Sequence, residues 1–288
     1  MRADQLLVER GLAASRSQAV RLIAGGLRWR DAVAGGAWHA VGKNGDLVPD
    51  SAELELADAA EARYVSRGGL KLEGALAVCG IEVHDKLCLD VGQSTGGFTD
   101  CLLQQGARHV VGVDVGHGQL HPRVAGDPRV TAIEKYNART LNAIDLIAAC
   151  AHRTGDTAEF DAKFPLITGD LSFISLTLVL PALVPLLAAP AAGDGPARRG
   201  GDLLMLVKPQ FELQPGQVGK GGIVRDPALH AAVEARLRAA CEGLGLTVER
   251  WFDSPIAGGD GNREFFIHAR HPTQPTSQGV GRAPSAEL

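Results

Sequence analysis

Two lysines, two carboxylates and one glycine-rich turn are the residues of this sequence whose types and placement can do chemistry. Lys208 stands directly after an apolar run, in Val207-Lys208-Pro209-Gln210-Phe211-Glu212, a setting that points its ammonium into a cleft. Asp170 follows a second run in Gly169-Asp170-Leu171-Ser172-Phe173, and Glu264 opens a third in Gly261-Asn262-Arg263-Glu264-Phe265. Lys71 lies in a helical stretch, Arg67-Gly68-Gly69-Leu70-Lys71-Leu72. Each also reads as an ordinary charge at the end of an element, Lys208 least so. The turn is Leu89-Asp90-Val91-Gly92-Gln93-Ser94-Thr95-Gly96-Gly97-Phe98. Gly92 lets the chain leave a strand sharply, and Gly96-Gly97 let backbone approach a ligand unobstructed. A helix predicted from Phe98 would offer free N–H groups to an anion or carboxylate. Asp114 lies 22 residues beyond Gly92, where a carboxylate commonly grips the ribose hydroxyls of a nucleoside cofactor. The second glycine is displaced from the dinucleotide pattern GxGxxG. The set Asp90, Gly92, Ser94, Thr95, Gly96, Gly97 and Asp114 therefore fits S-adenosylmethionine better than NAD. A purely structural glycine turn is the alternative.

A sheet must position these residues. Apolar runs of strand length at Leu87–Val91, Val110–Val115, Val130–Ile133, Leu166–Ile167 and Leu203–Val207 alternate with helical patterns. That alternation predicts an α/β fold with a parallel sheet covered on both faces. Ligands of such a doubly wound sheet gather at the carboxyl rim of its strands. The last pair of runs, Val248–Phe252 and Phe265–Ala269, is separated by too few residues for a crossover helix, so an antiparallel strand ends a mostly parallel sheet. Residues 151–165 and 193–202 read as loops, and 271–288 as a polar, flexible tail.

Ahead of the sheet, residues 4–11 read as a short helix stopping at Gly11, and a second helix starts at Ser15 in a capping-box pattern, Ser15-x-x-Gln18. An extended piece, Leu27–Trp29, follows the glycine stop at Gly25-Gly26. Two helices and a short strand of this kind suit a small nucleic-acid-binding module. Charge agrees. The chain carries 29 Lys+Arg against 33 Asp+Glu, a net −4 that taken evenly argues against nucleic acid. Residues 1–30, however, hold Arg2, Arg10, Arg16, Arg21, Arg28 and Arg30 against Asp4 and Glu9. Arg16, Arg21 and Arg28 could line one face at phosphate-contact distance; a solvated helix face is the plain alternative. Residues 63–71 and 205–225 are also net positive, so the acidity belongs to the scaffold.

Five scattered cysteines with no CxxC pair argue against zinc or any other metal and fit buried thiols in a reducing, cytoplasmic setting. No signal-peptide pattern opens the chain. Leu171–Gly193 has no charge and is long enough to cross a bilayer. Pro181, Pro185 and Pro190 make it a proline-broken core helix instead.

Taken together, these motifs resemble the TlyA-type family, whose members carry the names hemolysin and ribosomal RNA cytidine 2′-O-methyltransferase. The resemblance runs from Arg2-Ala3-Asp4-Gln5-Leu6-Leu7-Val8-Glu9-Arg10-Gly11-Leu12 to Gly261-Asn262-Arg263-Glu264-Phe265-Phe266. Between them lie Tyr64-Val65-Ser66-Arg67-Gly68-Gly69-Leu70-Lys71-Leu72, the Gly92–Asp100 loop, Asp170-Leu171-Ser172-Phe173-Ile174-Ser175-Leu176 and Val207-Lys208-Pro209-Gln210-Phe211-Glu212. It implies an S4-like RNA-binding domain at 1–60, an FtsJ-like, Rossmann-like S-adenosylmethionine-dependent methyltransferase domain at 61–270, and a tail at 271–288. It also implies a Lys-Asp-Lys-Glu tetrad on Lys71, Asp170, Lys208 and Glu264, and ribosomal RNA in ribosomal subunits as the partner; the charge pattern makes Arg2, Arg10, Arg16, Arg21, Arg28 and Arg67 the expected RNA contacts. Gln93 stands where the family usually has a small residue.

Methyl transfer to a ribose hydroxyl demands alignment and removal of a proton from a weak acid. Under this reading Lys71 and Lys208 flank the hydroxyl and the carboxylates hold them in register, with no metal needed. A membrane-active hemolysin and a non-catalytic RNA-binding protein are the alternatives. The proline breaks oppose the first, and the complete tetrad opposes the second.

Overall fold

In the computed structural model of the chain the described residues are 1–13, 15–32, 36–56, 63–154, 161–190, 200–258 and 261–272. They form two sheets, one of three strands and one of seven.

The small sheet belongs to the N-terminal module. Helix α1 (Ala3–Glu9) and helix α2 (Arg16–Ala24) precede β1 (Leu27–Arg30), β2 (His39–Ala40) and β3 (Glu53–Leu56), in the antiparallel order β2-β1-β3. The Ser15 hydroxyl accepts from the Gln18 N–H at 3.2 Å, which caps α2 as its sequence predicts. Leu6, Leu7, Ala19, Leu22, Ile23 and Leu27 pack as a core confined to this module.

The large sheet contains β4 (Leu87–Val91), β5 (His109–Val113), β6 (Val130–Ile133), β7 (Leu166–Gly169), β8 (Asp202–Val207), β9 (Thr247–Asp253) and β10 (Phe265–Arg270). Their spatial order is β6-β5-β4-β7-β8-β10-β9. The first five pair in parallel. Side chains alternate between two cores, one on each face, as period-2 geometry requires. Leu203, Met205 and Val207 enter one core while Leu204 and Leu206 enter the other. Helices α3 (Gly68–Cys79), α4 (Gly97–Gln104), α6 (Ala143–Thr154) and α9 (Pro227–Gly243) are the longest around this sheet, with one-turn helices α5 (Pro122–Ala125), α7 (Leu180–Leu183) and α8 (Pro209–Glu212) between them.

Three details differ from the sequence reading. The antiparallel strand β10 does not end the sheet. It lies between β8 and β9, because β9 takes the edge and tolerates exposure there with Glu249 and Arg250. Residues 151–154 continue α6 rather than forming a loop, and 202 already belongs to β8. Residues 155–160 and 193–199, most of the proposed tail and the boundary between the modules lie outside the described residues. The uncharged stretch after Asp170 is broken into short turns at Leu176–Leu178, Leu180–Leu183 and Val184–Leu186. Among the described residues, no helix is long and apolar enough to cross a membrane.

Candidate active site

The strand order reverses between β4 and β7, and a cleft opens beyond their carboxyl ends, where such sheets bind ligands. Its large lobe is about 520 Å³ and is lined by residues including Gly92, Asp114, Tyr136, Leu171 and Phe173. A smaller lobe of about 150 Å³ is lined by Ser66, Gln93, Thr95, Gly97 and Lys208 among others. Gly92, Ser94, Asp170 and Ser172 line both, so the two lobes are one continuous site.

Four distant stretches of chain carry the ionisable residues; Asp170 and Lys208 line the cleft, whereas Lys71 and Glu264 lie outside the lining of both lobes. Asp170 leaves β7, and its N–H donates to the Val91 carbonyl at 3.0 Å, which keeps the two strand ends together. Lys208 leaves β8, and its Nζ pairs with Asp170 Oδ1 at 2.5 Å and donates to Ser172 Oγ at 2.9 Å. Phe265 of β10 is paired with Val207, so the antiparallel strand begins where β8 ends and sets Glu264 on the same rim. Lys71, buried on α3, reaches across to Glu264 Oε2 at 2.5 Å. The tetrad is thus two ion pairs. Burial raises the Glu264 pKa above the ordinary carboxylate range, and the adjacent Lys71 charge opposes that shift.

The glycine turn is built around Gly92, whose φ is +85°. A Cβ there would lie 2.6 Å from the Asp170 carbonyl, so only glycine keeps β4 and β7 this close. Ser94 donates its N–H to Asp114 Oδ2 at 2.7 Å, and Gly116 donates to Oδ1 at 2.7 Å, which holds the Asp114 carboxylate at the wall of the large lobe. Gly96 turns away from the lining against Leu120 and Val124, and Gly97 packs on the Ser66 hydroxyl. Asp90 does not face the cleft. It is fully buried, and its Oδ2 accepts from the Thr99 hydroxyl at 2.6 Å. Gln93 Nε2 donates to the same hydroxyl at 2.9 Å, with its amide lying over Gly112 where a Cβ would sit 2.0 Å away. The glutamine therefore fits the turn because the neighbouring strand carries a glycine. Burial pushes the Asp90 carboxyl up to about 7, opposed by the Thr99 hydroxyl and assisted by the negative charges of Asp170 and Asp114.

The arginines expected to meet RNA are engaged within the chain. Arg2 and Arg16 both bond to Asp4, and Arg10 donates to the Ala52 carbonyl at 2.6 Å. Arg28 pairs with Glu55 at 2.9 Å, and Arg67 donates to the Ala257 carbonyl at 3.1 Å. Arg21 lies on α2, and its side chain is outside the described residues. The basic N-terminal segment thus spends part of its charge on internal partners.

Several cleft residues escaped the sequence reading. Ser172 and Phe173 sit inside a motif singled out for Asp170, and Tyr136 follows the end of β6, so the strand-end rule would have reached it. Phe173 holds φ +64° and is 89% exposed, with its ring 4.9 Å from that of Phe211. A bulky residue in the left-handed region is strained.

Residues 64–271 match the family model described as FtsJ-like methyltransferase. The chain is 42% identical over 272 residues to the 16S/23S rRNA (cytidine-2′-O)-methyltransferase TlyA of Mycobacterium tuberculosis, covering 94% of this chain and 90% of the relative. It is 35% identical to Hemolysin A of Brachyspira hyodysenteriae, covering 93% of this chain and 99% of the relative. A solved structure called "Putative hemolysin from Streptococcus thermophilus" is 39% identical, with a TM-score of 0.66 over 96% of this chain and 90% of that one. With a match that spans most of the chain and includes the whole cleft, the protein belongs to the FtsJ-like methyltransferase family.

Proposed function

We propose that the protein transfers a methyl group from S-adenosylmethionine to the 2′-hydroxyl of a cytidine in ribosomal RNA. The observation that carries this reading is the Lys208–Asp170 pair beside the glycine turn, at the wall of the smaller lobe of a cleft whose larger lobe suits a nucleoside, with the buried Lys71–Glu264 pair near enough for the charges of Asp170 and Lys208 to act on Glu264. The residues present fit the cofactor. At about 520 Å³ the large lobe lies in the range of small-molecule sites. Asp114 stands where ribose hydroxyls would be held, and Tyr136, Val115 and Leu171 supply apolar walls. When bound, S-adenosylmethionine supplies an electrophilic methyl group for in-line displacement.

The chain's own residues supply alignment and proton transfer. Lys208 Nζ, fixed by Asp170 and Ser172 at the small lobe, releases one proton to solvent through the open lobe. As the neutral amine it then takes the hydroxyl proton as the hydroxyl oxygen bonds to the methyl carbon and the sulfonium sulfur leaves with the bonding pair. Lys71 and Glu264 form a buried pair that holds the other side of the rim. Ser66 and Thr95 bound the remaining space around the ribose. Phe173 offers an exposed ring at the mouth for stacking on an unpaired base, an RNA-binding mode that tolerates sequence. The N-terminal module, read as an S4-like domain spanning 1–60, docks structured ribosomal RNA through Arg2, Arg10, Arg16, Arg21 and Arg28. Arg67 serves at the edge of the catalytic module spanning 61–270, in a protein of the cytoplasm.

Incubation with labelled S-adenosylmethionine and ribosomal subunits tests the reading. Wild type labels ribosomal RNA on ribose, and Lys208→Ala lowers the rate by at least about 10²-fold, the contribution expected of a positioned general base. Label absent with wild type, or equal in both proteins, sinks it.

A further inference from the structure

Two segments of the site run side by side like the halves of a zipper. One descends from Asp170 to Leu176 and the other from Lys208 to Glu212. Their contacts occur in order. Lys208 Nζ meets Asp170 and Ser172, the rings of Phe173 and Phe211 lie 4.9 Å apart, and Glu212 closes the far end. Glu212 is buried at 4% exposure on α8, away from the cleft lining. Its Oε1 accepts from the Leu176 N–H at 2.7 Å, and its Oε2 accepts from the Ser175 hydroxyl at 2.6 Å. Arg236, on α9, donates to the same Oε2 at 2.9 Å and also to the Glu212 carbonyl.

A buried carboxylate without donors is costly, whereas one with three donors is a rigid anchor. This anchor lies beyond a loop that needs holding. Phe173 is strained at φ +64°, and such backbone persists only where its surroundings over-determine it. The first helical turn after the loop, Leu176–Leu178, hangs on the Glu212 contacts through Leu176, while Ser175 also caps that turn by accepting from the Thr177 N–H.

From this geometry we infer that Glu212 is a positioning residue for methyl transfer: it locks the Asp170 loop to the strand end that carries Lys208, with Arg236 as its counterion. The inference rests on the proposed function for its catalytic consequence, and on the structure alone for the lock. Releasing the lock lets Asp170 and Lys208 drift, and misplacement of about 1 Å at a catalytic group costs about 10²-fold.

The test compares wild type, Glu212→Gln and Glu212→Ala by hydrogen exchange and by methyl transfer to ribosomal subunits. In Glu212→Ala the Leu176 amide exchanges at least about tenfold faster while amides of β4 and β8 stay protected. The kcat falls about 10²-fold and the KM for the RNA substrate moves less than about threefold. Glu212→Gln keeps an acceptor for the Leu176 N–H and restores most of the lost rate. In an Asp170→Asn background Glu212→Ala costs little more, because both changes disable one unit. Unchanged Leu176 exchange in both variants overturns the lock. An equal further loss in the Asp170→Asn background, or a loss expressed in KM alone, overturns the positioning role. If wild type methylates no ribosomal RNA, the proposed function fails, while the exchange comparison still decides the lock. Should Glu212→Ala not fold, Glu212→Gln carries both measurements, with a smaller change expected in each.

Discussion

At the scale of single residues, the site depends on carboxylates placed in unlike surroundings. Glu264, Asp170 and Glu212 each meet a cation, whereas Asp90 is buried with the Thr99 hydroxyl as donor to one oxygen. Its carboxyl is pushed up to about 7, far above the ordinary value of 3.8. A folded-state pKa raised in this way favours the protonated form, so its contribution to stability is complete below the unfolded value. That contribution declines as pH rises from about 4 and is gone above about 7. Replacing Asp90 with Asn keeps an acceptor for Thr99 and removes the ionisation. Thermal unfolding of wild type and Asp90→Asn between pH 5 and 8 should therefore diverge, the variant losing less melting temperature as pH rises. Parallel curves would show that Asp90 does not titrate in this window.

Between elements, the same chemistry ties α1 to α2. Asp4 accepts from Arg2 Nε at 3.0 Å and from Arg16 NH2 at 2.8 Å. Those two guanidiniums, Arg2 first, hold its carboxyl well below the usual range. Here the sign is opposite to that of Asp90. A depressed pKa gives stability that is present above the unfolded value of about 4 and is lost as pH falls below it. Asp4→Asn should unfold the small module at lower temperature at neutral pH and flatten its acid sensitivity. Trp29 and Trp38 report on that module by fluorescence, with Trp251 on β9 the remaining tryptophan. An unchanged acid transition would show that α1 and α2 are held by their apolar contacts alone. A net positive count carries no information about where each charge turns, so the Asp4 contacts of Arg2 and Arg16 were not visible in it. Asp4 is only two positions from Arg2 but twelve from Arg16, and the second contact requires both helices to be in place.

For the whole molecule, the separation of cores is the governing fact. Leu6, Leu7, Leu22 and Leu27 pack with their own module, while the large sheet carries a core on each face. Contacts such as Gln18 Nε2 to the Tyr64 carbonyl at 3.4 Å join the two. Removing residues 1–60 should leave S-adenosylmethionine affinity within about twofold and abolish transfer to ribosomal subunits, since the proposed cofactor site lies on the large sheet and the proposed RNA grip of the small module is electrostatic. Undiminished transfer by the truncated protein would show that the catalytic module finds its substrate alone.

The strands, the glycine turn and the positions of Asp170, Lys208 and Glu264 at strand ends were legible in the sequence. Each follows from a pattern a few residues long: an apolar run, a turn residue, a charge that cannot enter the core. Antiparallel pairing of β9 and β10 was legible from the short connection between them, but the edge position of β9 was not. The pairing of Lys71 with Glu264 across 193 residues was decided only by strand order and register. So were the fit of Gln93 over Gly112 and the closing of the Asp170 loop by Glu212. Local periodicity determines what each segment becomes, because backbone geometry repeats every two or 3.6 residues. Which side chains then meet depends on the packing of whole elements, and that information belongs to no single segment.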